Sequence, residues 1–219
     1  EGDDPARIWE DLGTKSAILE AFIPFEREVS VIAARSADGQ VECYDVTENE
    51  HRDHLLKISR APAAISDALA AEARAVAEKI ATALDYVGVL AVEMFVVTGK
   101  GAPKVLVNEI APRVHNSGHL TIEASATSQF EQHLRAVLDW PLGPTASTAA
   151  VAAMVNIVGD GVHEPLTRQA FALAEVPGAH VHLYGKSARQ ARKVGHVTVL
   201  GDDLVSVRSA ANTAANLLA

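Results

Sequence analysis

The sequence has a single cysteine in 219 residues, Cys43, so neither an intrachain disulfide framework nor a cysteine-rich zinc module can be built from it. It has no apolar run near the ~20 residues needed to cross a bilayer. Its opening stretch, EGDDPARIWED, is acidic and lacks the character of a targeting peptide. These absences point to a reducing, cytoplasmic setting without a membrane partner. Positive charge is also scarce. Nineteen Lys and Arg against 28 Asp and Glu leave a net charge of −9, which excludes a general nucleic-acid binder, because non-specific affinity comes from basic residues on phosphates. The glycine motifs of P-loop, Rossmann and nucleophile-elbow proteins are all missing, so any nucleotide must be held by another fold. What is present is 48% apolar and 21% charged residues, the composition of a packed chain. Its length suits one large domain or two small ones.

The pattern along the chain is α+β. Ile18–Ile23 and Glu28–Ser36 read as strands, and Asp38-Gly39 as the turn into Val41–Thr47. From Ile65 to Tyr86 apolar residues recur at helical steps, after Pro62 and up to Gly88. Val89–Val97 and Lys104–Ala111 are joined by a linker too short for a crossover and so predict an antiparallel hairpin. Ser128 and Glu131 form a capping box ahead of Phe130, Leu134, Val137 and Leu138, predicting a helix that stops at Pro141. Pro141–Thr148 has the composition of a linker, which divides the chain into residues 1–143 and a smaller unit, 144–219. In the latter, strands at Val151–Val158, Ala179–Tyr184 and Val194–Leu200 precede a last helix.

Two carboxylates interrupt the hairpin strands: Glu93 within VLAVEMFVV and Glu109 within VLVNEIA. Their midpoint, residue 101, lies in the connecting loop, so folding sets them opposite each other or offset by one residue. At a Cβ separation of roughly 5 Å like charges repel unless one is protonated, a cation intervenes or a divalent ion bridges them. Mg²⁺ completed by substrate phosphates fits such a pair; a Glu at a sheet edge reaching solvent is the ordinary alternative. Asn108 points to the opposite face by strict alternation, unless the strand is ending there.

The segment after Glu109 is dense in hydrogen-bonding groups: Arg113, His115, Asn116, Ser117 and His119. The His115/His119 spacing would suit a helical zinc pair, but Pro112 and Gly118 oppose a helix and the glutamate of HExxH is absent. A substrate-handling loop or a structural loop remains. Farther on, Lys186, Arg189, Arg192 and Lys193 place four of nineteen basic residues within eight positions. In an acidic chain this is a candidate site for one phosphate, or else a solvated loop.

The run NEIAPRVHNSGHLTIEASATSQFEQHLRAVL, with LEAFIPFEREVSVIAARSADG before it and HLYGKSARQARKVGHV after it, resembles the N5-carboxyaminoimidazole ribonucleotide synthetase family of ATP-grasp enzymes over essentially the whole chain. The resemblance implies the C-terminal lobe of an ATP-grasp domain, an antiparallel sheet with helices, followed by a small β-rich C-terminal domain. It implies ATP-dependent carboxylation of 5-aminoimidazole ribonucleotide by bicarbonate, with ATP and Mg²⁺ as cofactors, in a cytoplasmic homodimer. By the same resemblance Glu20, Ala21, Phe22 and Ile23 form the hinge that reads adenine, Glu28 holds the ribose and His51 contacts the nucleotide. Glu93 and Glu109 become the Mg²⁺ ligands, with Asn108 in the same metal–phosphate group. Arg113 stabilises the transferring phosphate, and His115, Asn116, Ser117 and His119 line the bicarbonate and aminoimidazole side. Lys186, Arg189, Arg192 and Lys193 grip the 5′-phosphate. The family usually has Pro-Gly at Gln190-Ala191 and an aromatic at Leu120. The chain opens at Glu1 in mid-pattern, and the family's N-terminal domain and Gly-rich lid are not in it. The expectation is a fragment with little synthetase activity alone, which a turnover assay with all substrates checks. Two alternatives are an ATP-grasp ligase for another small carboxylate and a non-catalytic purine-nucleotide-binding module.

Overall fold

In the computed structural model, residues 4–99, 101–187 and 189–219 are described. Among them nine strands form one antiparallel sheet. The strands are β1 (Arg27–Arg35), β2 (Val41–Cys43), β3 (Thr47–Arg52), β4 (Leu55–Ala61), β5 (Gly88–Val97), β6 (Lys104–Ala111), β7 (Val151–Val158), β8 (Ala179–Leu183) and β9 (Lys193–Gly201). Their order is β6-β5-β1-β3-β4-β7-β9-β8, with β2 also paired to β1. The helices are α1 (Pro5–Leu12), α2 (Asp67–Ala83), the short α3 (Thr121–Ala124), α4 (Gln129–Val137), α5 (Pro165–Glu175) and α6 (Leu204–Leu218).

β1 is buried continuously from Val29 to Arg35 because both of its faces are covered. On one face α2 lays Leu69, Ala73, Ala77 and Ala81 against Val29, Val31, Leu90, Val92 and Met94. Alanine at every fourth position lets the helix approach the sheet closely. On the other face Ile32, Ala34, Val89 and Ala91 pack with Tyr44 and Ala111. A second core lies under α5 and α6, where Ala172, Ala211, Ala214 and Leu218 meet Ala153, Ile157 and Val197. One sheet therefore carries two cores, joined where β4 pairs with β7 from Ile58↔Val155 to Ala61↔Ala152. The Pro141–Thr148 stretch is held down rather than slack. The Gln132 amide donates to the Gly143 carbonyl (2.7 Å) and accepts from its N–H (2.8 Å), and Thr145 Oγ1 donates to the Cys43 carbonyl (3.0 Å).

Two readings change, and one hairpin is added. Among the described residues, 18–23 join no strand, and the apolar run is not buried by the sheet: Phe22 is 88% exposed. The β3–β4 hairpin was not legible because its two-residue turn uses Asp53 (φ 51°) and His54 (φ 60°) in place of the glycine dipeptides that ordinarily mark such turns. The predicted face of α4 is reversed: Gln129, Gln132 and Ala136 are buried, while Phe130, Leu134 and Val137 face outward.

Candidate active site

Near its loop, the β5–β6 hairpin pairs Val97 with Lys104, Val96 with Val105, Phe95 with Leu106 and Met94 with Val107. Continued unchanged, that register would set Glu93 against Asn108. A bulge between Glu93 and Met94 slips it by one residue, and Glu93 lies opposite Glu109. Asn108 becomes the extra residue of the bulge. The strict alternation expected for it fails there, and Asn108 lines the same cavity of about 440 Å³ as Glu93 and Glu109. Glu28, Asn49, His51 and His54 complete the walls, with His51 Nδ1 2.9 Å from Glu28 Oε2.

Burial, then the neighbouring Glu109 and Glu28, push the Glu93 carboxyl up to about 7, with Lys193 pulling weakly the other way. Lys193 is itself lowered by burial, against the pull of Glu93. Among the described residues no group of three or more His, Cys, Asp or Glu is placed to hold a metal alone. Two carboxylates and an amide oxygen are hard donors, the partial shell that Mg²⁺ accepts when phosphate oxygens supply the rest.

A second cavity of about 550 Å³ is lined by Glu20, Ala21, Phe22 and Ile23 together with Phe25, Phe95, Leu106 and Asn108. Phe25 stacks on Phe95 at 4.5 Å between centroids and 7° between planes. Asn108 borders both cavities, so the apolar slot and the acidic cavity adjoin.

The 113–119 loop hangs on Gln129. His115 N–H donates to Gln129 Oε1 (2.9 Å), and Gln129 Nε2 donates to the His115 carbonyl (2.7 Å). The Thr121 hydroxyl accepts from the Gln129 backbone N–H at 2.9 Å, fixing the start of α4 beneath the loop. The His115 imidazole is lowered to about 4, first by burial and then by Arg113, and its Nε2 lies 3.7 Å from Glu93 Oε1. Asn116 forms a reciprocal amide pair with Asn156 of β7 (3.1 and 2.6 Å), and Lys193 Nζ approaches Asn116 Oδ1 at 3.5 Å. Ser117 is fully buried. His119 lies apart from the carboxylates, stacked on Phe130 (5.4 Å) and beside His196 (5.2 Å); burial lowers it to about 4. A Cβ at Gly118 would sit 2.6 Å from Gln129 Oε1 and 2.9 Å from Ile32 Cγ1. Gly118→Ala is expected to cost about 2 kcal/mol by displacing that amide, measured by urea denaturation.

The basic loop divides. Lys193 turns toward the site, whereas Lys186 lies 5.3 Å over the Tyr184 ring and lines a separate cavity with Glu164 and Leu166. Arg192 donates to Ser187 Oγ at 3.4 Å, and the Arg189 carbonyl accepts from Arg192 N–H at 3.1 Å. Four residues escaped the sequence reading: Asn49, His54, Gln129 and Asn156. Gln129 alone left a signal, as a polar residue one step after the Ser128 cap; the other three depend on strands paired far along the chain.

Residues 2–130 match the ATP-grasp domain, and residues 152–210 match the phosphoribosylaminoimidazole carboxylase C-terminal domain. The chain belongs to the ATP-grasp family. It is similar to the N5-carboxyaminoimidazole ribonucleotide synthase of Brucella melitensis, 51% identical over 183 residues, which are 83% of this chain and 48% of that protein. Among solved structures, the N5-carboxyaminoimidazole ribonucleotide synthetase of Thermus thermophilus matches with a TM-score of 0.80 and 47% identity, over 91% of this chain and 53% of that one. The N5-carboxyaminoimidazole synthase of Aspergillus clavatus, solved with ADP and 5-aminoimidazole ribonucleotide, matches with a TM-score of 0.79 and 35% identity, over 89% and 51%. The chain spans about half the length of these relatives. The antiparallel sheet and flanking helices are thus those of an ATP-grasp domain joined to this C-terminal domain. Among the described residues no helix of the ATP-grasp chain is long and apolar enough to cross a membrane.

Proposed function

We propose that the chain forms the metal- and substrate-binding half of an ATP-dependent ligase that carboxylates 5-aminoimidazole ribonucleotide. The balanced reaction is ATP + 5-aminoimidazole ribonucleotide + HCO₃⁻ → N5-carboxyaminoimidazole ribonucleotide + ADP + phosphate. The observation that carries this reading is the bulge that gathers Glu93, Asn108 and Glu109 into one cavity beside the Phe25–Phe95 slot. In this reading Glu20–Ile23 receive the adenine, Glu28 and His51 the ribose, and Glu93, Glu109 and Asn108 the Mg²⁺–phosphate group. Mg²⁺ would neutralise charge on the phosphate oxygens when bound.

Arg113 exerts the strongest positive influence on His115 and is suited to hold the phosphoryl group as bicarbonate is converted to carboxyphosphate. His115, Asn116, Ser117 and His119 shape the wall where bicarbonate and the amine meet, and Lys193 adds charge there. Burial of this wall matters because carboxyphosphate hydrolyses readily in water. Lys186, Arg189 and Arg192 take the 5′-phosphate. Residues 1–143 and 144–219 act as two units on one sheet, in a cytoplasmic homodimer whose assembly sedimentation equilibrium tests.

Calorimetric titration of the chain with 5-aminoimidazole ribonucleotide tests the substrate. Arg189→Ala and Arg192→Ala are each expected to weaken binding about tenfold, the value of one charged hydrogen bond to the 5′-phosphate. Unchanged affinity in both variants refutes the assignment. In a coupled assay of the complete enzyme, phosphate release with formate in place of bicarbonate would instead indicate a different carboxylate.

A further inference from the structure

A line of polar side chains crosses β4, β3 and β1 and ends on His115. Ser59 of β4 lies 2.8 Å from Asn49 Oδ1 of β3, and Asn49 Nδ2 lies 2.9 Å from Ser30 Oγ of β1. Ser30 Oγ is 2.8 Å from Ser117 Oγ, which is 2.9 Å from His115 Nδ1. Ser30, Ser59 and Ser117 are wholly buried, and Asn49 nearly so. Four buried polar groups are costly unless each is satisfied, and here each is bonded to the next.

The direction of the chain follows from its one unambiguous donor. The Ser117 backbone N–H donates to His115 Nδ1 at 3.3 Å, and a backbone amide cannot accept. Nδ1 is therefore an acceptor, and the ring proton sits on Nε2. With Nδ1 unprotonated, the Ser117 hydroxyl must also donate to it. Ser117 Oγ then accepts from Ser30, Ser30 from the Asn49 amide, and Asn49 Oδ1 from Ser59. Each hydroxyl has one proton, so with the Ser117 proton directed at Nδ1 the donor of every link from Ser30 back to Ser59 is fixed. The far end of the line is Nε2–H, 3.7 Å from Glu93 Oε1.

We propose that Ser30, Asn49, Ser59 and Ser117 are positioning residues that hold His115 in the Nε2–H form, presenting a fixed N–H donor to the acidic cavity. The purpose of that donor, to meet an anionic oxygen of the substrate, rests on the preceding reading of function; the tautomer does not. A substrate that placed a proton donor against Nε2 would meet a mismatch, so the line also selects for acceptors at this wall.

Long-range ¹H–¹⁵N correlation spectra of the ¹⁵N-labelled 219-residue chain, without nucleotide or metal, read the tautomer directly. His115→Gln assigns the signals. The expected result is Nε2 with a protonated and Nδ1 with an unprotonated ¹⁵N shift, the Nε2–H form exceeding the other by at least about tenfold, since several hydrogen bonds favour it. Ser117→Ala and Ser30→Ala are expected to lower that ratio several-fold while the signals of His133 and His182 stay in place. A parent chain with the Nδ1–H form, or with a mixture, overturns the proposal. So does an unchanged ratio in both variants. If a variant does not fold, the parent spectrum still decides the tautomer, and Ser59→Ala, at the far end, tests the line. Failure of substrate binding alongside the expected tautomer would overturn the functional reading and leave this one standing.

Discussion

Glu109→Gln is expected to weaken Mg²⁺-dependent ADP binding by about a hundredfold, roughly 3 kcal/mol, while ADP binding without Mg²⁺ changes little. Glu109 is the residue the bulge brings opposite Glu93, and an amide in its place removes charge but not bulk. Glu93→Gln should show the same loss of metal-dependent binding with an opposite effect on stability. Its carboxyl is pushed up to about 7 by burial and by Glu109, so the folded chain without metal disfavours its ionised form. The sign follows from linkage: a carboxyl with a raised folded value binds protons more readily folded than unfolded. Stability without metal therefore falls as pH rises from the ordinary carboxylate range to about 7, then levels off. Glu93→Gln removes that slope and is expected to stabilise the metal-free chain at pH 8 by about 2 kcal/mol, allowing for coupling with Glu109. Calorimetric titration and urea denaturation at pH 5 and pH 8 measure both. Metal-dependent binding that survives both substitutions would remove these carboxylates from the metal site, and a Glu93→Gln chain less stable at pH 8 would reject the electrostatic account.

Gln129→Ala is expected to cost about 3 kcal/mol and lower Tm by roughly 6–12 °C, because it strands two buried backbone groups as well as leaving a cavity. The Gln129 amide pairs with both the N–H and the carbonyl of His115 and reaches His119 Nδ1 at 3.0 Å. Gln132→Ala is the control. Gln132 is equally buried on the same helix, but its amide clamps Gly143, away from the acidic cavity. Both variants should melt early, yet only Gln129→Ala should also impair binding of 5-aminoimidazole ribonucleotide, by about tenfold. Equal binding by the two variants would show that Gln129 supports the fold without setting the loop.

The two glutamines show where the sequence misleads. At positions 129 and 132 they occupy the inward face of α4, while Phe130, Leu134 and Val137 face outward, opposite to what hydrophobicity predicts. Side-chain amides went inward because the loop and Gly143 carry backbone groups that only they satisfy. Likewise, the Asp53-His54 turn carries no glycine signal, so β3 and β4 stayed hidden, and with them Asn49 and His54.

The sequence by itself determined much: the α+β pattern, the β5–β6 hairpin, the opposed carboxylates and the dense loop after Glu109. It also carried the motifs by which the chain resembles its family. These are local matters of period, turn length and residue type. Only the tertiary structure decided that a bulge sets Glu93 against Glu109 and turns Asn108 toward them, that Asn156 fixes Asn116 from another strand, and that Ser59 acts on His115 across three strands. Each depends on hydrogen bonds between segments far apart in the chain. Strand pairing chooses those partners, and residue spacing does not encode them.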